Sequence, residues 1–149
     1  MSKTISFRGT LPIGEQDHIR LKTNTGKVGY KITKFQLMQT NPGNIDHEFV
    51  GKIFKTNQTG NIDGEVQMTD SDLLAAVYKK TESGGSSGVY QESIIFDNEV
   101  FNQDIFVTIV DNAGSVEPCN YYIELETMAL SDLETTKLTL QSIRQITAP

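Results

Sequence analysis

The sequence predicts a mainly β chain folded as an antiparallel, jelly-roll-like β-sandwich, with one short helix near residues 70–80 and a C-terminal segment that can close as a second helix. Three observations predict it. Apolar residues recur with period two along most of the chain, the pattern of strands with one buried face. About eight such segments are separated by clusters of Asn, Gly, Asp and Ser, as in a sandwich or barrel. Only two stretches depart from the alternation. The 149 residues fit one domain, 1–149, long enough to bury a sizeable core.

Taken in order, "TISFRG" puts Ile5 and Phe7 on one face. "DHIRLKT" does the same with Ile19 and Leu21, against His18, Arg20 and Lys22. Val28, Tyr30 and Ile32 alternate until the phase slips, and Phe35, Leu37 and Gln39 continue in the opposite parity. A one-residue slip within one strand predicts a β-bulge near Thr33-Lys34. Strands follow in "EFVGKIFKT", "GEVQMT" (Val66, Met68) and "VYQESIIF". In "QDIFVTIVD", Ile105, Val107 and Ile109 oppose Phe106, Thr108 and Val110, so both faces are apolar, as in a central strand. "NYYIELETM" closes the series, with Tyr121, Ile123 and Leu125 against Tyr122, Glu124 and Glu126.

The first departure, "TDSDLLAAVYKK", carries Leu73, Leu74, Val77 and Tyr78 at helical spacing behind a Thr69 or Asp70 N-cap, with Lys79-Lys80 at its end. The second, "SDLETTKLTLQSIRQI", opens with Ser131 and Glu134 in capping-box spacing and lines up Leu133, Lys137, Leu140 and Arg144. Its three threonines leave a last strand open, and the helix is favoured. "ESGGSSG", residues 82–88, has no side chains able to pack a core and reads as a surface loop.

Composition bounds the function. Net charge is −6, which disfavours binding to a nucleic-acid backbone. The nearest approach to a basic cluster, Lys22, Lys27, Lys31 and Lys34, is interrupted and reads as the solvated side of strands. No membrane span is expected, since the longest apolar run is Leu73 to Tyr78, and the opening residues lack the apolar stretch of a secretory signal. The single cysteine, Cys119, excludes an intramolecular disulfide and reads as a small core residue.

Candidate chemistry is sparse. Gly43-Asn44-Ile45-Asp46 returns as Gly60-Asn61-Ile62-Asp63. In the second copy Thr59, Asn61, Asp63, Gly64 and Asp70 imitate the ligand register of a calcium loop. Uncharged ligands, a short Asp at the twelfth position and strand-like flanks argue against calcium. Turn chemistry used twice, at opposite ends of one strand, is favoured. The two histidines, His18 and His47, make no zinc spacing with Cys119. Members of a Ser-His-Asp triad can lie far apart in sequence, and no Gly-x-Ser-x-Gly elbow supports one. Glu124 and Glu126 share a strand face and could mimic a glycosidase pair, though an exposed face explains them. No enzyme and no cofactor are expected.

At "IIFDNEVFNQDIFVTIVD", "CNYYIELETMALSDLETTKLTLQSIRQI" and the opening "SKTISFRGTLPIG", the chain resembles small β-rich proteins encoded beside capsid genes in tailed, especially marine, bacteriophages. The resemblance implies a virion component made in the host cytoplasm, a capsid decoration or cement protein whose partner is the major capsid protein. The alternative is a carbohydrate-binding or fibre-attachment module of a virion, with a groove near Tyr90, Tyr121 or Tyr122. A homo-oligomer is expected, a trimer ahead of a dimer. Leftover apolar surface on the two departing segments puts Leu73, Leu74, Val77, Tyr78 and Leu138 at its interface.

Overall fold

The computed structural model describes residues 3–41, 46–81, 89–96 and 99–147. Eight strands precede one helix: β1 Lys3–Leu11, β2 Gln16–Ile19, β3 Val28–Gln39, β4 His47–Phe54, β5 Leu73–Thr81, β6 Val89–Ile95, β7 Ile105–Asp111, β8 Cys119–Ala129 and α1 Asp132–Thr147. They form a three-stranded sheet of order β1-β8-β3 and a five-stranded sheet of order β2-β7-β4-β5-β6. Every pairing between named strands is antiparallel. Rolling up a long antiparallel ribbon pairs the first strand with the last, the second with the seventh and the fourth with the fifth, as here. A full jelly roll would also pair β3 with β6, but β6 extends the five-stranded sheet from β5 instead. The roll is therefore open along one seam.

The core lies between the sheets and contains the residues that alternation assigns to it. Ile19, Leu21, Tyr30, Ile32, Ile53, Val107, Ile109, Ile123 and Leu125 are buried, with Ile5 and Phe7 packed against them. The bulge is where the phase slip puts it. Ile32 faces Leu125 and Lys34 faces Glu124, so Thr33 is the extra residue, and its hydroxyl donates to the Glu124 carbonyl at 3.2 Å. Both charged pairs across the outer face, Lys31 opposite Glu126 and Lys34 opposite Glu124, follow from this register.

Two expected elements are different in the structure. Residues 70–80 contain no helix: Leu73–Thr81 is β5, hydrogen-bonded to β4 on one side and β6 on the other. Ala75 and Val77 face the core while Leu73 and Ala76 face away, and all four are buried. A strand covered on both faces shows a continuous apolar run that period alone cannot tell from a helix. "GEVQMT" is not a strand either. It belongs to the connection 55–72, which folds back over the outer face of the five-stranded sheet and covers Phe54 and Leu73. Gln16 pins that connection from β2, donating to Asn57 Oδ1 and Thr59 Oγ1 and accepting from the Gln58 amide.

The C-terminal segment is a helix, and its capping box is formed. The Glu134 amide donates to Ser131 Oγ, and the Ser131 amide donates to Glu134 Oε1, both at 3.2 Å. Its docking face is not the leucine stripe. Asn102 Nδ2 donates to the Gly26 carbonyl and to Thr139 Oγ1, and Thr135 and Thr139 lie against Gly26. Leu138 is half-buried on this side. Leu133, Leu140 and Ile143 are 79%, 49% and 52% exposed. The expected loop 82–88 lies outside the described residues.

Candidate functional site

The register of the three-stranded sheet sets side chains in rows across its outer face. Arg8, Tyr122 and Gln36 occupy one rung, and Thr10, Asn120 and Met38 the next outward-facing one. These residues, with Leu37, Lys79 and Gln91 beyond the β3 edge, line a cleft of about 580 Å³. That volume lies within the range of small-molecule sites. The cleft exists because the seam between β3 and β6 is open. Leu37 on β3 has no strand partner on that side, so the Gln91 side chain accepts from its amide at 3.1 Å and Lys79 Nζ donates to its carbonyl at 3.2 Å. Lys79 is buried, and desolvation lowers its pKa from the usual lysine range.

Tyr121 forms the floor from the core side. Its ring lies over Gly9, where a Cβ would come within 2.7 Å of the phenol oxygen, so only glycine allows this approach. The phenol donates to Asp17 Oδ2 at 2.8 Å. Burial, and then this carboxylate, raise its pKa well above the ordinary tyrosine value. Of the three tyrosines expected at a groove, Tyr122 stands on the outer face of the cleft, Tyr121 lines it only from the buried core side, and the Tyr90 side chain lies outside the described residues.

The calcium-loop register does not assemble a cation site. Gly60 adopts φ +88° and the Asn61 amide donates to the Gln58 carbonyl at 2.8 Å, a glycine turn of the expected kind. Thr59 Oγ1 accepts from Gln16, and Asp70 Oδ1 accepts from the Asp72 amide. Asp63 accepts from Lys52 Nζ at 3.0 Å and from the Glu65 amide. The positive charge facing the loop is that ammonium, which also donates to the Glu65 carbonyl and lies 5.4 Å from the centre of the Phe54 ring. The lysine hydrogen bond lowers the pKa of Asp63 below the usual carboxylate value. Among the described residues no group of three or more His, Cys, Asp or Glu could hold a metal. In the first GNID copy residues 43–45 lie outside the described residues, and Asp46 is exposed.

Both histidines join elements. His47 is sealed from solvent, with Nδ1 2.8 Å from Asp111 Oδ2, Nε2 3.3 Å from Glu117 Oε2, and its ring stacked on Phe49. It ties β4 to the end of β7 and to the connection after it, and a substrate has no path to it. His18 Nε2 is 2.7 Å from Asp104, whose other oxygen accepts the amides of Leu21 and Lys22 and ends β2. Cys119 is buried, which pushes its pKa up to about 12 and leaves the thiol inert.

The expected interface residues divide. Leu73, Leu74 and Val77 are buried within the chain and unavailable to a partner, because β5 hides both its faces. Tyr78 and Leu138 are half-buried. Glu124 and Glu126 stand on the outer face opposite lysines. Among the described residues, no helix is long and apolar enough to cross a membrane. Sequence reasoning missed Arg8, Gln36, Lys79 and Gln91, which only the strand register brings together.

No protein-family model matches the chain. No curated protein matches it. Among solved structures, the three-dimensional structure of Cocksfoot mottle virus matches with a TM-score of 0.44 and 8% identity, over 93% of this chain and 98% of that one. At that level of likeness the functional reading is left to the residues of this chain.

Proposed function

We propose that the protein is a structural component of a bacteriophage virion, a capsid decoration or cement protein that seats on the major capsid protein as a homo-oligomer, a trimer before a dimer. In this reading it catalyses nothing and needs no cofactor. The observation that carries it is the outer face of α1. Leu133, Leu140 and Ile143 are spaced seven and three residues apart, the seam of a short coiled coil, and all three face solvent. Asp132, which Lys27 engages within the chain at 3.2 Å, and Lys137 flank that seam in positions where parallel neighbouring helices exchange ion pairs. A parallel arrangement about one axis gives the cyclic symmetry that closed oligomers adopt. The occupant of the stripe is therefore a second copy of this chain.

The test is sedimentation of the intact protein, alone and with assembled capsids of the virus that encodes it. Self-association at concentrations around ten micromolar (about −7 kcal/mol), lost in Leu133→Ser/Leu140→Ser with unchanged circular dichroism, supports the reading. A wild-type monomer that also fails to sediment with capsids sinks it. A second reading, a carbohydrate-binding module of a virion, is favoured by one observation: Tyr122 lines the cleft on its outer face among hydrogen-bonding side chains. Binding on a glycan array, lost in Tyr122→Ala, would establish it.

A further inference from the structure

We infer that the cleft across the three-stranded sheet takes an acidic oligosaccharide, whose carboxylates or sulfates meet Arg8 on one rim and Lys79 on the other while a sugar ring lies against Tyr122. The inference rests on the carbohydrate-binding reading and deepens it by naming the ligand class. Its first support is charge. The chain carries a net charge of −6, yet the cleft is lined by two cations and, among the described residues, by no carboxylate. Glu124, two residues along β8 on the same face, is engaged by Lys34 at 3.4 Å. Neither Arg8 nor Lys79 makes an ion pair among the described residues.

The second support is spacing. Arg8 lies on β1 and Lys79 reaches the far edge of β3, so two strand intervals, about 10 Å, separate the rims. One small anion cannot bridge that span, and a chain of two or more sugar rings can. Between the rims the lining alternates a ring face, Tyr122, with groups that both donate and accept, Gln36, Asn120, Thr10 and Gln91. This is the mixture that hydroxyl-rich rings require. Lys79 adds a third reason. Burial has stripped its ammonium of water and left it, among the described residues, one carbonyl partner, so a seated anion would add to its stabilisation.

The test is calorimetric titration of the intact protein with three tetrasaccharides: hyaluronan-derived (carboxylates), heparin-derived (sulfates as well) and maltotetraose (neutral). An acidic sugar should bind at least about tenfold more tightly than the neutral one, the worth of one charge-assisted hydrogen bond. Arg8→Ala, at an exposed position where folding is safe, should remove about that factor for acidic sugars only. Lys79→Met, checked by circular dichroism, should do the same, while Tyr122→Ala should weaken every saccharide that binds. Affinity for the acidic sugars should fall as salt rises. Equal binding of neutral and acidic sugars, unchanged in Arg8→Ala, overturns the acidic assignment and leaves the carbohydrate reading standing. No binding of any saccharide overturns both.

Discussion

Asp63→Ala tests what holds the 55–72 connection over the five-stranded sheet. The substitution removes a carboxylate 3.0 Å from Lys52 Nζ and leaves an ammonium, its side chain 6% exposed, with the Glu65 carbonyl at 2.6 Å and the Phe54 ring. A hydrogen bond between charged groups is worth about 1.5–3 kcal/mol. Asp63 is 60% exposed, so solvent screening brings the expected loss to about 1–1.5 kcal/mol. Lys52→Met keeps the aliphatic stem, removes the desolvated charge and lets Asp63 return to water, so it should cost less than about 0.5 kcal/mol or even stabilise. Urea denaturation reads both as shifts in midpoint at constant slope. The pH dependence gives an independent check. Because the folded pKa of Asp63 is lowered, its contribution is complete above the unfolded value of about 3.9 and fades as pH falls through the folded one. The gap between wild type and Asp63→Ala should therefore stay constant above about pH 5 and narrow as pH falls below about 4. A Lys52→Met variant as unstable as Asp63→Ala, or a gap that stays constant with pH, would refute the pinning role.

Asn102→Ala removes a buried donor shared by the Gly26 carbonyl and Thr139, and should cost about 1–3 kcal/mol while raising amide hydrogen exchange along α1. Gly9→Ala places a methyl group 2.7–2.8 Å from Tyr121 ring atoms, so the ring must move; a loss of about 1–3 kcal/mol and a phenol that titrates closer to its ordinary value in ultraviolet difference spectra are expected. Cys119 should react with a disulfide reagent at about pH 8 only after denaturant unfolds the chain, since its pKa stands at about 12.

How much of this was legible depended on whether a residue's environment was set locally or by distant strands. The bulge at Thr33 was legible because one face of β3 is buried and the other wet, so a slip of one residue shows as a change of parity. The cap at Ser131 and Glu134 was legible because both partners lie within one turn. β5 was not, because the connection 55–72 buries the face that would otherwise have been polar, and Leu73, Ala76 and Val77 then look alike. The face on which α1 docks was not legible either. Thr135 and Thr139 meet Gly26 and Asn102, residues far away in sequence, while Leu133 and Leu140, which line up at helical spacing, are exposed. Of the cleft, Tyr121 and Tyr122 could be named for their residue type, whereas Arg8 and Lys79 are surface-type residues until the register sets them around one hollow.

The open seam also bears on how copies of this chain can meet. An unpaired strand edge templates pairing with another chain, so a β3 edge left bare by the displacement of β6 would invite sheet-to-sheet association. Two contacts blunt it. At its start, Tyr30 and Phe101 exchange backbone hydrogen bonds of 2.7 and 3.0 Å, closing the first rungs with a residue from the connection before β7. Toward its end, both backbone groups of Leu37 are taken by side chains from the other sheet, Gln91 and Lys79. An incoming strand would have to displace a buried ammonium to reach them, and the displaced charge would need a new partner. Edge-to-edge pairing along β3 is thus disfavoured by the same side chains that shape the cleft. On α1 the exposed Leu133 and Leu140 lie on a helix docked through Thr135 and Thr139. The proposed self-association through α1 and the proposed ligand binding at the seam would therefore use separate surfaces, and Leu133→Ser/Leu140→Ser should abolish the first while leaving saccharide affinity per chain unchanged.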